Sequence, residues 1–136
     1  MAMSACRSLL AGAAAVMSIA ACTRAPYLIV FNRTGVPLTI ERTPPYESDV
    51  TIAPGSTHRA RFPDAMLLTV TAGAATWRYA VRFPPRELAR WSRLGRPEFQ
   101  LQVEPDGRVY VLAPDATPPV RELPAQPAGF PLAPLS

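Results

Sequence analysis

Thr76-Trp77-Arg78-Tyr79-Ala80-Val81-Arg82-Phe83 decides the fold. Trp77, Tyr79, Val81 and Phe83 fall on one side of an extended chain, and Thr76, Arg78, Ala80 and Arg82 on the other. Such alternation is the period of a β-strand with one face buried. A slip of one residue would turn both arginines into the core, so the register is strongly specified.

The same period extends outward in both directions. Upstream, Met66, Leu68, Val70 and Ala72 alternate with Leu67, Thr69 and Thr71, and Gly73-Ala74-Ala75 turns the chain back. Downstream, residues 98–104 place Phe99, Leu101 and Val103 inward. Pro105-Asp106-Gly107 reads as a tight hairpin loop, with glycine available for the left-handed position. Residues 108–112 return with apolar side chains on both faces, Val109 and Val111 against Tyr110 and Leu112, so this strand is expected to be covered on both sides.

Nearer the N-terminus, Tyr27-Leu28-Ile29-Val30-Phe31 is an unbroken apolar run, as in a strand buried on both faces at the centre of a sheet. Asn32-Arg33-Thr34-Gly35 is a turn. Val36, Leu38 and Ile40 then alternate with polar neighbours, and Pro37 marks a strand start or an edge. A loop over residues 43–49 leads to a short strand at 50–52 and a Pro54-Gly55 turn. Residues 56–62 resume the alternation, with Thr57, Arg59 and Arg61 on one face and His58, Ala60 and Phe62 on the other. Seven or so short strands separated by turn signals predict a mainly β chain. The expected fold is a small antiparallel β-sandwich over residues 27–113, immunoglobulin-like or transthyretin-like in architecture. The cysteine and tryptophan markers of true immunoglobulin domains are absent, so the likeness is one of architecture alone.

Residues 84–95 break the pattern. Leu88, Trp91 and Leu94 have helical spacing, Arg86, Arg90 and Arg93 form a basic face, and Gly95 is placed as a stop. One short helix near 86–94 is expected, marginal by itself and dependent on a sheet beneath it. Beyond residue 113, seven of the chain's 17 prolines fall within 114–136. Proline removes ladder donors and fixes φ, so this tail is expected to be disordered or extended.

The N-terminal 22 residues carry an address. Arg7 precedes a short apolar run that ends Ile19-Ala20-Ala21-Cys22. The run is too short for a transmembrane helix and has the shape of a secretory signal. Its end resembles the lipobox of bacterial lipoproteins, an aliphatic residue and two small ones before a cysteine. That resemblance implies cleavage of residues 1–21, lipidation of Cys22 with a diacylglyceryl thioether and labelling by palmitate. It leaves residues 22–26 as a short tether. It also implies a bacterial cell-envelope location, in the periplasmic leaflet of the outer membrane, because Thr23 stands where an aspartate favours inner-membrane retention. Cys6 would be lost with the signal, so the mature chain would hold no disulfide.

The formal charge is +4, and all 14 basic residues are arginine. A pI near 9.7 suits contact with anionic surfaces. No helix-turn-helix, RNP or zinc spacing accompanies it, which argues against nucleic acid. Catalytic chemistry needs a nucleophile, a base and an orienting group. The chain has one histidine, His58, no G-x-S-x-G, and scattered carboxylates that turns explain. No catalytic residue, metal site or cofactor is therefore expected. The least ordinary constellation is Arg78 and Arg82 on one strand face with Arg86, Arg90 and Arg93 on the helix face, Arg96 beside them and Glu87 the local counter-charge. Arginine forks hold carboxylates and phosphates bidentately. The sequence thus suggests a lipid-anchored, non-catalytic accessory or scaffold module that binds another envelope protein. The alternative is a binder of an anionic lipid head group or glycan phosphate through the arginine cluster.

Overall fold

Alternation does build strands, and they assemble into two sheets. The computed structural model describes residues 26–41, 49–62 and 66–135. The signal segment, the lipobox with Cys22 and most of the 43–49 loop lie outside the described residues. One sheet is formed by β1 (Tyr27–Asn32), β4 (Thr57–Ala60), β7 (Arg90–Trp91), β8 (Pro97–Val103) and β9 (Val109–Val111), in the order β4-β1-β8-β7 with β9 also on β8. The other is β3 (Val50–Ile52), β2 (Leu38–Glu41), β5 (Leu67–Ala72) and β6 (Ala75–Ala80), in that spatial order. The chain is mainly β, with two antiparallel-rich sheets in a small sandwich.

The inner faces are those the period marks. Leu28, Val30, Phe99, Leu101, Val103, Val109 and Val111 of the first sheet meet Leu38, Ile40, Ile52, Leu68, Val70 and Tyr79 of the second. Burial of a Phe99- or Leu38-sized side chain contributes about 1.5–3 kcal/mol. β1 is central and buried on both faces, between β4 and β8. The space between the sheets keeps an apolar cavity of about 70 Å³, with Leu132 and Arg82 among its lining residues.

The structure corrects one expectation and sharpens two others. The mainly antiparallel sandwich holds with one parallel pair in it: β1 and β8 run parallel, with Tyr27 opposite Glu98 and Asn32 opposite Val103. No helix spans 86–94. A single 3-10 turn, Arg86–Leu88, ends at Ala89, whose backbone is extended, and Arg90 and Trp91 pair with the edge of β8 instead. A short helix with a narrow apolar stripe gains less than a strand added to an existing ladder. The tail, expected to be disordered or extended, forms neither helix nor strand, and it is held to the sandwich by hydrogen bonds. Residues 114–135 pack along the first sheet and close its β9 edge, which brings the tail into the same packed unit as the strands.

Prolines cannot pair as a strand, yet their carbonyls still accept hydrogen bonds. Gln100 and Gln102, on the outer face of β8, are buried and supply the donors. The Gln100 amide donates to the carbonyls of Pro114 and Ala116 at 3.0 and 2.8 Å. Gln102, 0% exposed, donates to the Val120 carbonyl at 2.9 Å and accepts from its N–H at 2.8 Å. At the edge of β9, the Gln126 side chain pairs with both backbone groups of Val111, at 2.8 and 3.0 Å, as a neighbouring strand would. Leu132 and Val109 exchange two backbone hydrogen bonds of 2.9 Å, and the Leu135 N–H reaches the Arg78 carbonyl on β6 at 2.7 Å. The tail therefore ties an edge of one sheet to an edge of the other.

Candidate functional site

Parallel pairing of β1 with β8 brings both strand starts to one end of the sandwich. β4 runs antiparallel to β1, so its last residues, and Arg61 just beyond, arrive at the same end. β7 joins β8 there through a tight hairpin. Three stretches far apart in the chain, the start of β1, the end of β4 and the β7–β8 hairpin, thus meet at Tyr27.

Arginine dominates this end. The Arg59 guanidinium lies 3.8 Å from the Tyr27 ring centroid, that of Arg96 4.8 Å and that of Arg61 5.7 Å. Such stacking is attractive because the ring face is electronegative. Glu98, opposite Tyr27 and Arg90 on its two sides, is the buried carboxylate of the group. It is shared by Arg59 Nε at 2.5 Å and Arg90 Nε at 3.6 Å. Arg59 and Arg90 thus share one carboxylate, while Arg61 and Arg96 lie over the neighbouring Tyr27 ring. Donors outnumber acceptors, and Arg96 Nε is buried with no hydrogen-bond acceptor among the described residues.

The hairpin beside the cluster is closed by hydrogen bonds to its backbone. The Gly95 N–H donates to the Ser92 carbonyl, and the Arg96 N–H to Ser92 Oγ, with the Ser92 N–H returning to the Arg96 carbonyl. Gly95 takes φ +70, which completes a three-residue hairpin loop. Arg93 and Leu94 form the corners. Leu94 is 79% exposed and Trp91, at the loop's foot, 54%. The Arg86 guanidinium lies 5.6 Å from the Trp91 ring.

The arginines singled out from sequence are divided by the fold. Arg78 lies on β6 opposite Thr69 and Arg82 just beyond that strand, both on the second sheet. Arg82 packs closely over Gly129 of the tail: a Cβ added there would stand 2.8 Å from its guanidinium nitrogen. Arg86, Arg90 and Arg93 share no helix face. Arg90 joins the Tyr27 cluster, Arg86 meets Trp91 and Arg93 is an exposed corner. Arg59, Arg61 and Tyr27 were missed as site residues. Their signal, arginine on alternate positions of a strand, is present in the sequence, but their convergence depends on the parallel pairing.

His58 lies on β4 opposite Val30, half-buried on the side of the core. Tyr79 donates to the Gly107 carbonyl at 2.5 Å at the far end of the sandwich. Burial, with the Asp106 carboxylate adding to it, pushes its phenol above the ordinary value near 10. No group of three or more His, Cys, Asp or Glu residues placed to hold a metal ion occurs among the described residues. No family model, curated protein or solved structure matches the chain.

Proposed function

We propose that the protein is a lipid-anchored module of a bacterial envelope, held in the periplasmic leaflet of the outer membrane, that acts by binding and not by catalysis. The observation that carries this reading is the collection of Arg59, Arg61, Arg90 and Arg96 around the paired Tyr27 and Glu98, with Tyr27 five residues after the lipobox cysteine. A cluster in which, among the described residues, guanidinium forks outnumber carboxylates suits an anionic envelope ligand, a lipid head group or a glycan phosphate.

The wider reading, an accessory or scaffold for another envelope protein, draws on a different feature. β3 and β4 are the outer strands of their sheets on the side away from the tail. Unpaired strand edges are where a partner can add a strand.

Two measurements on the full chain test the proposal. Palmitate labelling of the native protein and its loss in Cys22→Ser tests the anchor; a mature chain that carries no lipid and begins elsewhere would end that reading. Isolation from detergent-solubilised membranes then separates the ligands: co-purifying anionic lipid or glycan is the expected result, and a stoichiometric protein partner in its place favours the scaffold.

A further inference from the structure

Scattered exposed apolar residues are ordinary on a protein surface. Trp91 and Leu94 are not scattered. They stand three residues apart on one hydrogen-bonded hairpin, flanked by Arg90, Arg93 and Arg96. The hairpin leads into β8 at the strand's first residues, beside the start of β1. The chain preceding Tyr27 leads directly to Cys22. An extended residue spans at most about 3.3–3.6 Å, so five residues keep this end within roughly 18 Å of the cysteine.

We propose that the Tyr27 end of the sandwich is a membrane-contact site. Trp91 and Leu94 enter the interfacial layer of an anionic leaflet, and Arg59, Arg61 and Arg96 hold lipid phosphate beside Tyr27. This rests on the lipid-anchored reading of Cys22 and adds which surface faces the leaflet and what it holds there. Tryptophan favours the head-group layer because its ring is apolar and its N–H polar. Arginines next to an anionic surface are attracted to it, and lipid phosphate supplies the acceptors that Glu98 cannot. The backbone hydrogen bonds of the Ser92–Arg96 loop hold Leu94 outward before any lipid arrives, so little ordering remains to be done on contact.

The test uses the lipidated full-length protein reconstituted into phosphatidylethanolamine–phosphatidylglycerol vesicles, with or without bromine on the acyl chains. Flotation with the vesicles reports the anchor. Quenching of tryptophan emission by bromine reports insertion. Trp77, packed against Gly107 at the opposite end, serves as the unquenched reference. The expected result is quenching in the native chain and its loss in Trp91→Phe. Leu94→Ser, a change at an open corner that leaves the core intact, should weaken the quenching. Arg59→Gln with Arg61→Gln should remove its dependence on phosphatidylglycerol. Protein that floats yet shows no quenching overturns this proposal and leaves the anchor standing. Protein that does not float overturns the anchor and this proposal together. A photoreactive amino acid at position 94 should capture lipid in cells; capture of a protein overturns the proposal.

Discussion

β8 begins and ends in hairpins of the same kind. At 92–96 and at 104–108 the third loop residue is a glycine with positive φ, +70 at Gly95 and +85 at Gly107, and the same pair of backbone hydrogen bonds closes each loop. Their surroundings are opposite. Nothing lies within 4 Å of where a Gly95 side chain would begin, whereas a Cβ on Gly107 would stand 2.9 Å from Pro134 and from the Trp77 ring. Local sequence makes the turn, and the proline-rich tail decides which of the two turns is covered. The covered end is bound by Tyr79, Trp77 and Pro134; the uncovered end carries the arginines and the exposed Trp91 and Leu94.

The largest effect expected from this difference comes from alanine at the two glycines. Gly95→Ala meets only the left-handed backbone penalty, about 1–2 kcal/mol. Gly107→Ala meets that penalty and a clash with packed side chains, for a total of about 3 kcal/mol. Urea unfolding followed by tryptophan emission measures both. Equal losses would show that the backbone conformation, and not the tail above it, sets the contrast.

A smaller loss is expected where the tail is held to β8. Gln102→Leu keeps the volume but leaves the Val120 N–H and carbonyl without partners, a cost of about 2 kcal/mol. Limited proteolysis should then cut within 114–135 faster than in the native chain, while the Ser92–Arg96 hairpin is cut at an unchanged rate. Faster cutting at both ends would mean that the two hairpins are not independent.

The smallest effect belongs to the Tyr79 hydroxyl. Its hydrogen bond to Gly107 contributes about 1 kcal/mol at neutral pH. Because the folded phenol holds its proton to higher pH than the unfolded one, the native state binds more protons above pH 10. Stability from this residue is fully present below pH 10 and is lost as pH rises toward the folded value. Tyr79→Phe should therefore lower stability slightly at pH 7 and flatten the alkaline decline. An unchanged alkaline slope would remove Tyr79 from the covered end's account.

Much of this fold was legible because burial on one face leaves a local record. The alternation over 66–72, 76–83 and 98–104 marks the inner faces, and the unbroken run at 27–31 marks the central strand. The helical spacing at 86–94 misled because three apolar residues at that spacing do not outweigh a free ladder edge on β8. Gln100 and Gln102 sit at polar positions of an alternating strand, where solvent is the ordinary neighbour, yet both are buried beneath the tail. Of the candidate arginines, Arg90 and Arg96 reached the cluster and Arg78 and Arg82 went to the other sheet.

Neighbouring residues alone were enough to mark every strand except β7, the inward faces, the glycine turns and the resemblance to a lipoprotein signal. Tertiary structure alone decided the parallel pairing of β1 with β8, and through it the meeting of Tyr27, Arg59, Arg61, Arg90, Arg96 and Glu98. It also decided that a proline-rich tail is held in place, because its partners are glutamine side chains at other sites in the chain and not a pattern of its own. Contacts between residues distant in sequence leave no period to read, since either partner alone looks like an ordinary surface residue.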